Sequence, residues 1–173
     1  MERAHFQDGL LDVGFARDVG PDSSLMCETL YQEPLCLAVS HDHPLASSAS
    51  VTISTLKEET FLMFPQHLGP SLYAQIMNIC EQAGFRPNIV QEFVHMPTCL
   101  QLVSSGMGVA FVPLSSCDGA RGITSVKLMP EPLINFNMIY AREQVNACQQ
   151  AFLDLARRII TTPMVREPTS IQP

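Results

Sequence analysis

The chain has 173 residues, of which 46% are hydrophobic and 16% are charged. This length and composition predict one ordinary domain with a buried core, and they exclude a disordered chain and two large domains. The formal net charge is −7 and no basic run occurs, which disfavours a surface that follows nucleic acid phosphates.

The amino terminus has neither an apolar signal-peptide core nor a small-residue cleavage site, and no apolar run reaches the ~18 residues of a membrane span. We therefore expect a soluble, cytoplasmic protein with no membrane partner. The six cysteines include no CxxC pair, and most have apolar neighbours. Such spacing is typical of reduced thiols in a cytosolic core and does not favour a disulfide framework.

The opening of the chain predicts a short helix followed by a strand. Residues 3–8 have the pattern of a helix end stopped by Gly9, and residues 11–15 alternate apolar with polar or small side chains. A strand in this position would have no earlier partner, so we expect missing sequence upstream. Residues 30–39 predict a second strand, and the polar segment SHDHPLASSAS then predicts a connection.

The middle of the chain alternates strand and helix patterns. Ser71 is the predicted N-cap of a helix that ends at Gly84, and Pro97 fits the first turn of the next helix. Short connections between such units imply parallel strands. The strands are predicted over residues 61–64, 89–93 and 109–112, so residues 65–72, residues 94–98 and Pro113 should surround one mouth at the carboxyl edge of the sheet.

The last third predicts two strands, near residues 126–128 and 134–140, and a helix capped by Asn146. The inward face of that helix is predicted to carry Cys148, Ala151, Phe152, Leu155 and Ile159. The tail, residues 161–173, is expected to be flexible.

Four separated blocks follow one another with characteristic spacing. They are GLLDVGFAR (9–17), LYQEPLCLAVSHDHPLA (30–46), TFLMFPQHLGPSLYAQIMNICEQAGFRP (60–87) and LQLVSSGMGVAFVP (100–113). Together they resemble the effector-binding domain of LysR-type transcriptional regulators, and most of all the branch that senses metabolites such as muconate and benzoate.

The resemblance implies an α/β, periplasmic-binding-protein-like fold, with two lobes of parallel sheet and flanking helices joined by two crossing strands. Residues 31–133 would form the second lobe, and residues 1–30 with 134–160 part of the first. Family members begin with a winged helix-turn-helix and open the first lobe with strand, helix and strand. Because none of these precedes Met1, we expect an incomplete first lobe and DNA contact only through a winged-helix domain absent from this chain.

The same resemblance implies a small, aromatic-derived carboxylate effector in the cleft between the lobes, and a homo-oligomer, either dimer or tetramer. The first N–H groups of a helix that starts at Ser71 lack intrahelical partners and suit an anion. The alternative is that Ser71 only caps the helix. We expect the effector to contact Gly69, Pro70, Ser71 and Leu72 there.

Other candidate contacts come from two further segments. Arg17 follows a strand and could pair bidentately with a carboxylate, as its counterpart does in the aromatic-compound sensors that the chain resembles; otherwise it is a surface arginine beside Asp18. On the loop before the second helix, Met96 could supply apolar contact, and His95 and Thr98 also line the mouth. The alternative for His95 is a solvated loop histidine.

Catalysis and cofactor binding are poorly supported. His41 and His43 could chelate a metal, but no third ligand is indicated, so we expect neither a metal nor another cofactor. A GxSxG motif is absent, and Cys80 and Cys99 fall on apolar helix faces, so we expect no enzyme. The alternative function is a stand-alone small-molecule binding or dimerisation module that pairs with full-length regulators.

Overall fold

The computed structural model describes Phe6, residues 10–17, Val19, residues 25–141 and residues 146–160. The predicted helix end at residues 3–8, Phe6 apart, and the tail at 161–173 lie outside these ranges. No helix in the described ranges is long and apolar enough to cross a membrane. The strands and α-helices are β1 (Val13–Arg17), β2 (Leu25–Ser40), β3 (Ser50–Thr52), β4 (Thr60–Met63), α1 (Pro70–Gln82), β5 (Asn88–Glu92), α2 (Met96–Ser104), β6 (Ala110–Pro113), β7 (Ile123–Met129), β8 (Leu133–Ala141) and α3 (Ala147–Ile160).

One long strand, β2, connects the two ends of the main sheet. Its first part pairs antiparallel with β8, from Leu25 opposite Ala141 to Pro34 opposite Leu133. Its second part pairs antiparallel with both β6 and β7. The main sheet has the order β1-β8-β2-β7-β3, with β6 also on β2. Strand β2 therefore runs through both parts of the sheet, which matches the predicted crossing-strand architecture.

The sheet is mixed. The predicted strand, helix, strand, helix, strand unit is parallel, because β4 pairs parallel with β5 and Phe61 forms a parallel bridge with Val109 at the start of β6. The pairs that β8 makes with β1 and β2, and that β2 makes with β6 and β7, are antiparallel. Strands β7 and β8 follow one another in the same direction along β2 and opposite to it. The α/β fold class is confirmed. Among the described strands, parallel pairing occurs between β4 and β5, between β4 and the start of β6, and between β3 and β7.

Helices α1 and α2 cover opposite faces of this part of the sheet. Leu35, Leu37 and Val39 of β2 join the apolar cluster that contains Ile76 and Cys80 of α1. The intervening Cys36 and Ala38 join the cluster that contains Cys99 and Val103 of α2. Successive strand residues point to opposite faces, and both faces are buried, which explains the continuous apolar run over residues 35–39.

Two glycines allow β6 to approach β4. Gly106 has a φ of +77°, which lets the chain turn after α2. A Cβ on Gly108 would lie 2.7 Å from the carbonyl oxygen of Thr60. The close approach lets the N–H of Val109 donate to that carbonyl at 2.8 Å, so a larger residue at position 108 would separate the two strands.

Helix α3 corrects one prediction. Asn146 does cap it, since the N–H of Gln149 donates to Asn146 Oδ1 at 2.9 Å. The buried face, however, consists of Gln149, Leu153 and Ala156. The Nε2 of Gln149 donates to the carbonyl of Asp12 at 2.8 Å, which compensates part of the cost of pointing a polar residue inward. The helix is therefore rotated by about one residue relative to the prediction, and Cys148, Ala151, Phe152, Leu155 and Ile159 are exposed.

Candidate ligand site

The loops that follow β4 and β5 lie side by side, as the sequence predicts. The N–H of Phe93, just after β5, donates to the carbonyl of Met63, the last residue of β4, at 3.0 Å. Phe64 lies between the loops, with its ring centroid 6.3 Å from that of Phe93 and 6.2 Å from that of Tyr73 on α1. Because β6 runs parallel to β4, Pro113 leaves the sheet at the same edge.

Helix α1 begins two residues earlier than predicted. Gly69 is the N-cap and Pro70 is the first helical residue, so Ser71 does not cap the helix. Proline suits this position because it has no N–H that would need a partner. The first intrahelical bond runs from Tyr73 N to Gly69 O at 2.9 Å, and no side chain caps the helix. The amides of Ser71 and Leu72 precede this bond.

Gln75, one turn further along α1, ties the helix to the beginning of β8. Its Nε2 donates to the carbonyl of Leu133 at 2.9 Å. Its Oε1 is buried and has no hydrogen-bond partner in the described part of the chain. A buried amide oxygen without a partner is an available acceptor next to the start of α1.

Arg17 forms an ion pair with Glu33 of β2. Arg17 Nε and Nη2 both lie 2.9 Å from Glu33 Oε1, and the Glu33 side chain is only 7% exposed, compared with 31% for Arg17. The N–H of Ser115 donates to Glu33 Oε2 at 3.3 Å, and Arg17 Nη2 lies 3.4 Å from Ser115 Oγ. Ser115 belongs to the 3-10 turn Leu114–Cys117, which directly follows β6. The structure therefore brings Arg17 to the exit of β6.

An aromatic surface lies beneath Arg17. The guanidinium carbon is 5.5 Å from the ring centroid of Phe136, within the range of a cation–π contact. Phe136 stacks on Phe15 at 5.9 Å and on Tyr31 at 4.9 Å. Burial raises the pKa of the Tyr31 hydroxyl above its ordinary value, so this surface is uncharged at neutral pH.

The residues predicted on the loop before α2 differ in exposure. His95 is the N-cap of α2 but makes no side-chain capping bond, and both His95 and Thr98 are exposed. Met96 is partly buried against the core cluster on the α2 side of the sheet. These three residues lie at the same sheet edge as α1, whereas the contacts of Arg17 run to Glu33, Ser115 and Phe136.

The histidine pair makes ordinary local contacts. His41 Nδ1 lies 2.9 Å from Thr124 Oγ1, and His43 contacts Glu59 at 3.3 Å while accepting the N–H of Leu45. Within the ranges that the structure describes, no three His, Cys, Asp or Glu side chains form a group that could hold a metal ion.

Four residues near the site were missed by the sequence reasoning: Glu33, Gln75, Ser115 and Phe136. Only Glu33 carries a signal, because a charged residue immediately before Pro34 and the apolar run 35–39 must find a cation when that strand is buried. Gln75 and Ser115 carry none, since nothing in their neighbourhood specifies their distant partners.

The chain is similar to bacterial transcriptional regulators. It is 40% identical over 108 residues to the HTH-type transcriptional regulator AlsR of Bacillus subtilis (strain 168). The aligned residues cover 62% of this chain and 36% of AlsR. The matched part covers little more than a third of the length of AlsR and of YnfL, a regulator of Escherichia coli (strain K12) that is 37% identical over 108 residues. These relatives do not single out a branch that responds to benzoate or muconate.

Solved structures show the same fold. The regulatory domain of Synechocystis PCC6803 CcmR, in complex with 2-PG, matches with a TM-score of 0.80 and 22% identity over 94% of this chain and 79% of that one. The effector-binding domain of BenM with its effector benzoate matches with a TM-score of 0.74 and 22% identity over 99% of this chain and 80% of that one.

The LysR substrate binding domain family matches residues 3–160, which include all strands and helices described above. This domain is regulatory and not enzymatic, in agreement with the sequence prediction. The chain belongs to the LysR substrate binding domain family and is the effector-binding domain of a LysR-type transcriptional regulator.

Proposed function

We propose that this effector-binding domain takes a small carboxylate derived from an aromatic compound. The cleft that receives it would lie between a second lobe, residues 31–133, and a first lobe to which residues 1–30 and 134–160 contribute. The carboxylate would accept hydrogen bonds from the amides of Ser71 and Leu72.

The observation that carries this proposal is the uncapped start of α1. Gly69 and Pro70 begin the helix without a side-chain cap, and the two amides that follow precede its first hydrogen bond. Free amides and the positive end of the helix dipole together favour an anion. The rings of Phe64 and Tyr73 lie beside this helix start and would contact an aromatic or unsaturated ligand body.

Arg17 would supply positive charge to the same ligand. Because Glu33 already engages its Nε and Nη2, the guanidinium is held in one orientation over Phe136. A ligand carboxylate would approach the exposed part of this guanidinium rather than replace Glu33. We place His95, Met96 and Thr98 on the opposite side of the mouth, with Met96 as the apolar contact and His95 as a donor.

The relatives support this class of ligand. BenM binds benzoate, which is an aromatic carboxylate, and its effector-binding domain has the fold of this chain. We extend that class, without naming the compound, to the present domain. We include metabolites of the benzoate and muconate group in this class.

Signalling would proceed by a population shift. An effector stabilises the lobe arrangement to which it binds more tightly, so the free energy of binding biases the closed form. A separate winged-helix domain would then contact DNA within a homodimer or tetramer in the cytoplasm. The effector domain itself would need no cofactor and no membrane.

A thermal unfolding series tests this function. The purified chain is melted alone and with muconate, benzoate or salicylate at millimolar concentration, with benzamide as the neutral match for benzoate. A ligand that binds only the folded state raises the melting temperature. We expect at least one carboxylate to raise it and benzamide to leave it unchanged. An equal shift with benzoate and benzamide, or no shift with any carboxylate, contradicts the proposal.

A second candidate is a dimerisation module that pairs with full-length regulators. The observation that favours it is the outer face of α3, where Phe152, Leu155 and Ile159 are 46%, 44% and 68% exposed. Contiguous exposed apolar side chains commonly mark an interaction surface. Co-purification of the chain with a full-length LysR-type regulator would support a dimerisation role, provided that the Ile159→Asp variant no longer co-purifies. A chain that stays monomeric under the same conditions would oppose this role.

A further inference from the structure

Two cysteines that are distant in sequence meet beneath the exit of β6. The sulfur of Cys36 lies 3.6 Å from that of Cys117, 81 positions later. Cys36 is in the part of β2 that pairs with both β6 and β7, and Cys117 is the last residue of the turn Leu114–Cys117. A disulfide joins its sulfurs at about 2.05 Å, so the two sulfurs need to approach by about 1.5 Å.

The two thiols differ in exposure and in acidity. Cys36 is buried in the core cluster on the α2 side of the sheet, whereas Cys117 is only partly buried at its margin. A hydrogen bond from the Cys36 thiol lowers the pKa of Cys117, although burial and the neighbouring Asp118 act against it. The same hydrogen bond and burial raise the pKa of Cys36. Cys117 is therefore the better nucleophile of the pair.

The other buried thiols lack this arrangement. Burial raises the pKa of Cys80 to about 11 and that of Cys99 to about 12, so both stay protonated at neutral pH. Cys27 and Cys148 are exposed and can react with solutes. Among the described cysteines, Cys36 and Cys117 thus combine a reactive thiol with a second thiol at contact distance.

We propose that Cys36 and Cys117 form an oxidisable dithiol, which a hydroperoxide converts into an intramolecular disulfide. The Cys117 thiol releases its proton, and the thiolate attacks the peroxide, so an S–O bond forms and the O–O bond breaks. When the oxidant is hydrogen peroxide, the displaced hydroxide takes up that proton and leaves as water. The Cys36 thiol then attacks the sulfenic acid, so the S–S bond forms, the S–O bond breaks and a second water leaves. The two thiols lose two electrons, and these reduce the peroxide.

The turn that carries Cys117 also contacts residues of the candidate ligand site. Cys36 is fixed by strand pairing on both sides, so the turn that carries Cys117 makes the larger movement. Ser115, two residues earlier in the turn, donates to Glu33 and contacts Arg17. Closing the disulfide would pull this turn toward β2, beneath the Arg17–Glu33 pair.

Disulfide mapping of the wild-type chain tests the dithiol. The reduced protein is treated with hydrogen peroxide, remaining thiols are alkylated, and the chain is digested with Glu-C and chymotrypsin. Cleavage after Glu28 and Phe111 separates Cys36 from Cys27 and Cys117 from Cys99. We expect one dominant cross-linked peptide pair that joins Cys36 to Cys117 and has lost two hydrogen atoms.

Single variants identify the order of reaction. Cys36→Ser, which keeps a hydrogen-bond donor beside Cys117, should leave a sulfenic acid on Cys117 that dimedone traps. Cys148→Ser, the matched control at an exposed site, should form the disulfide as the wild type does. Cys117→Ser should abolish the cross-link while retaining the melting temperature of the reduced wild type within a few degrees. A dominant disulfide between any other pair, or slower oxidation of Cys117 than of Cys148, would overturn the proposal.

Discussion

Arg17 reaches Glu33 across the strand that lies between them. In the sheet order β1-β8-β2, Phe136 of β8 pairs with Arg17 on one side and Tyr31 on the other. Glu33 is two residues beyond Tyr31 and therefore on the same sheet face. The guanidinium lies over the Phe136 ring and meets the carboxylate at 2.9 Å. This pair links β1, β2 and the turn after β6 in one polar cluster.

Removing Arg17 alone should destabilise the domain. In Arg17→Met the buried carboxylate of Glu33 keeps, among the described residues, only the Ser115 amide as a partner, so we expect a loss of about 2 kcal/mol in the free energy of unfolding. The double variant Arg17→Met, Glu33→Gln should recover about 1 kcal/mol of it, because the uncompensated charge is gone. Urea unfolding of the wild type, the single variants Arg17→Met and Glu33→Gln, and the double variant measures this coupling.

The matched control for this cycle is Arg86→Met. Arg86 pairs with Glu81 on the surface, where the side chains are 82% and 51% exposed. We expect a change of about 0.5 kcal/mol or less. Equal losses for Arg17→Met and Arg86→Met would show that the Glu33 carboxylate does not depend on Arg17.

Ligand affinity should depend on the amide of Ser71. Ser71→Pro removes this N–H, and one hydrogen bond to a charged acceptor contributes about 1.5–3 kcal/mol, so we expect binding of a responsive carboxylate to weaken about 10- to 100-fold. Isothermal titration calorimetry measures the change. Ser71→Ala, which keeps the amide, should retain most of the affinity.

Ser54→Pro is the matched control for the proline substitution. Ser54 is exposed and is likewise the second residue of its helix, the 3-10 helix Ile53–Glu58, which precedes β4 and so lies away from the carboxyl edge of the sheet. It should leave affinity unchanged. Comparable weakening by Ser54→Pro would assign the effect to general destabilisation of the fold.

The Arg157–Glu28 contact predicts a pH dependence of stability. A hydrogen bond from Arg157 lowers the pKa of Glu28 below its usual 4.5, against a smaller opposing effect of burial. A lowered folded-state pKa stabilises the fold above the unfolded-state pKa, and this contribution disappears as the pH falls through the folded-state value. Because both side chains are about one third exposed, the contribution should be about 1 kcal/mol or less.

Glu28→Gln tests this dependence. The variant should be less stable than the wild type at pH 7, and the difference should shrink as the pH falls below 4.5. Glu131→Gln, which breaks the more exposed pair with Lys127, is the control for loss of one negative charge. Urea unfolding at several pH values measures the difference. A gap between wild type and Glu28→Gln that widens toward acid would contradict the account.

Self-association should depend on the outer face of α3. Ile159→Asp places a charge among exposed apolar side chains of that helix, so we expect the light-scattering mass of the chain to fall toward the monomer. Met107→Asp makes the same change at another exposed apolar residue, away from α3, and should leave the mass unchanged. If both variants associate like the wild type, the unpaired edge of β1 becomes the better candidate surface.

The sequence was most informative where local pattern and packing coincide. The pattern that ends at Gly84 predicted helix α1, and the alternation of short strands and helices predicted that three loops would share one sheet edge. Both follow from periodicity, because the same side chains that form each element also bury it.

Long-range partners could not be predicted. Gln149 occupies an inward position on α3 because the carbonyl of Asp12 accepts its amide, and no local pattern reveals that bond. The same holds for Glu33 and Ser115, which meet only because β1, β2 and β6 converge. Helix α1 starts two residues before its predicted position, because Ser71 and Gly69 are both good N-cap residues and Pro70, at the first helical position, favours Gly69.

The most direct test of the carboxylate site is an amide NMR titration of the isotopically labelled chain. Benzoate, muconate and salicylate are added in turn, with benzamide as the neutral control. We expect a carboxylate to shift the amide resonances of Ser71 and Leu72 more than any others, with saturation, and benzamide to leave them unchanged. Saturable carboxylate shifts confined to other parts of the chain would contradict it.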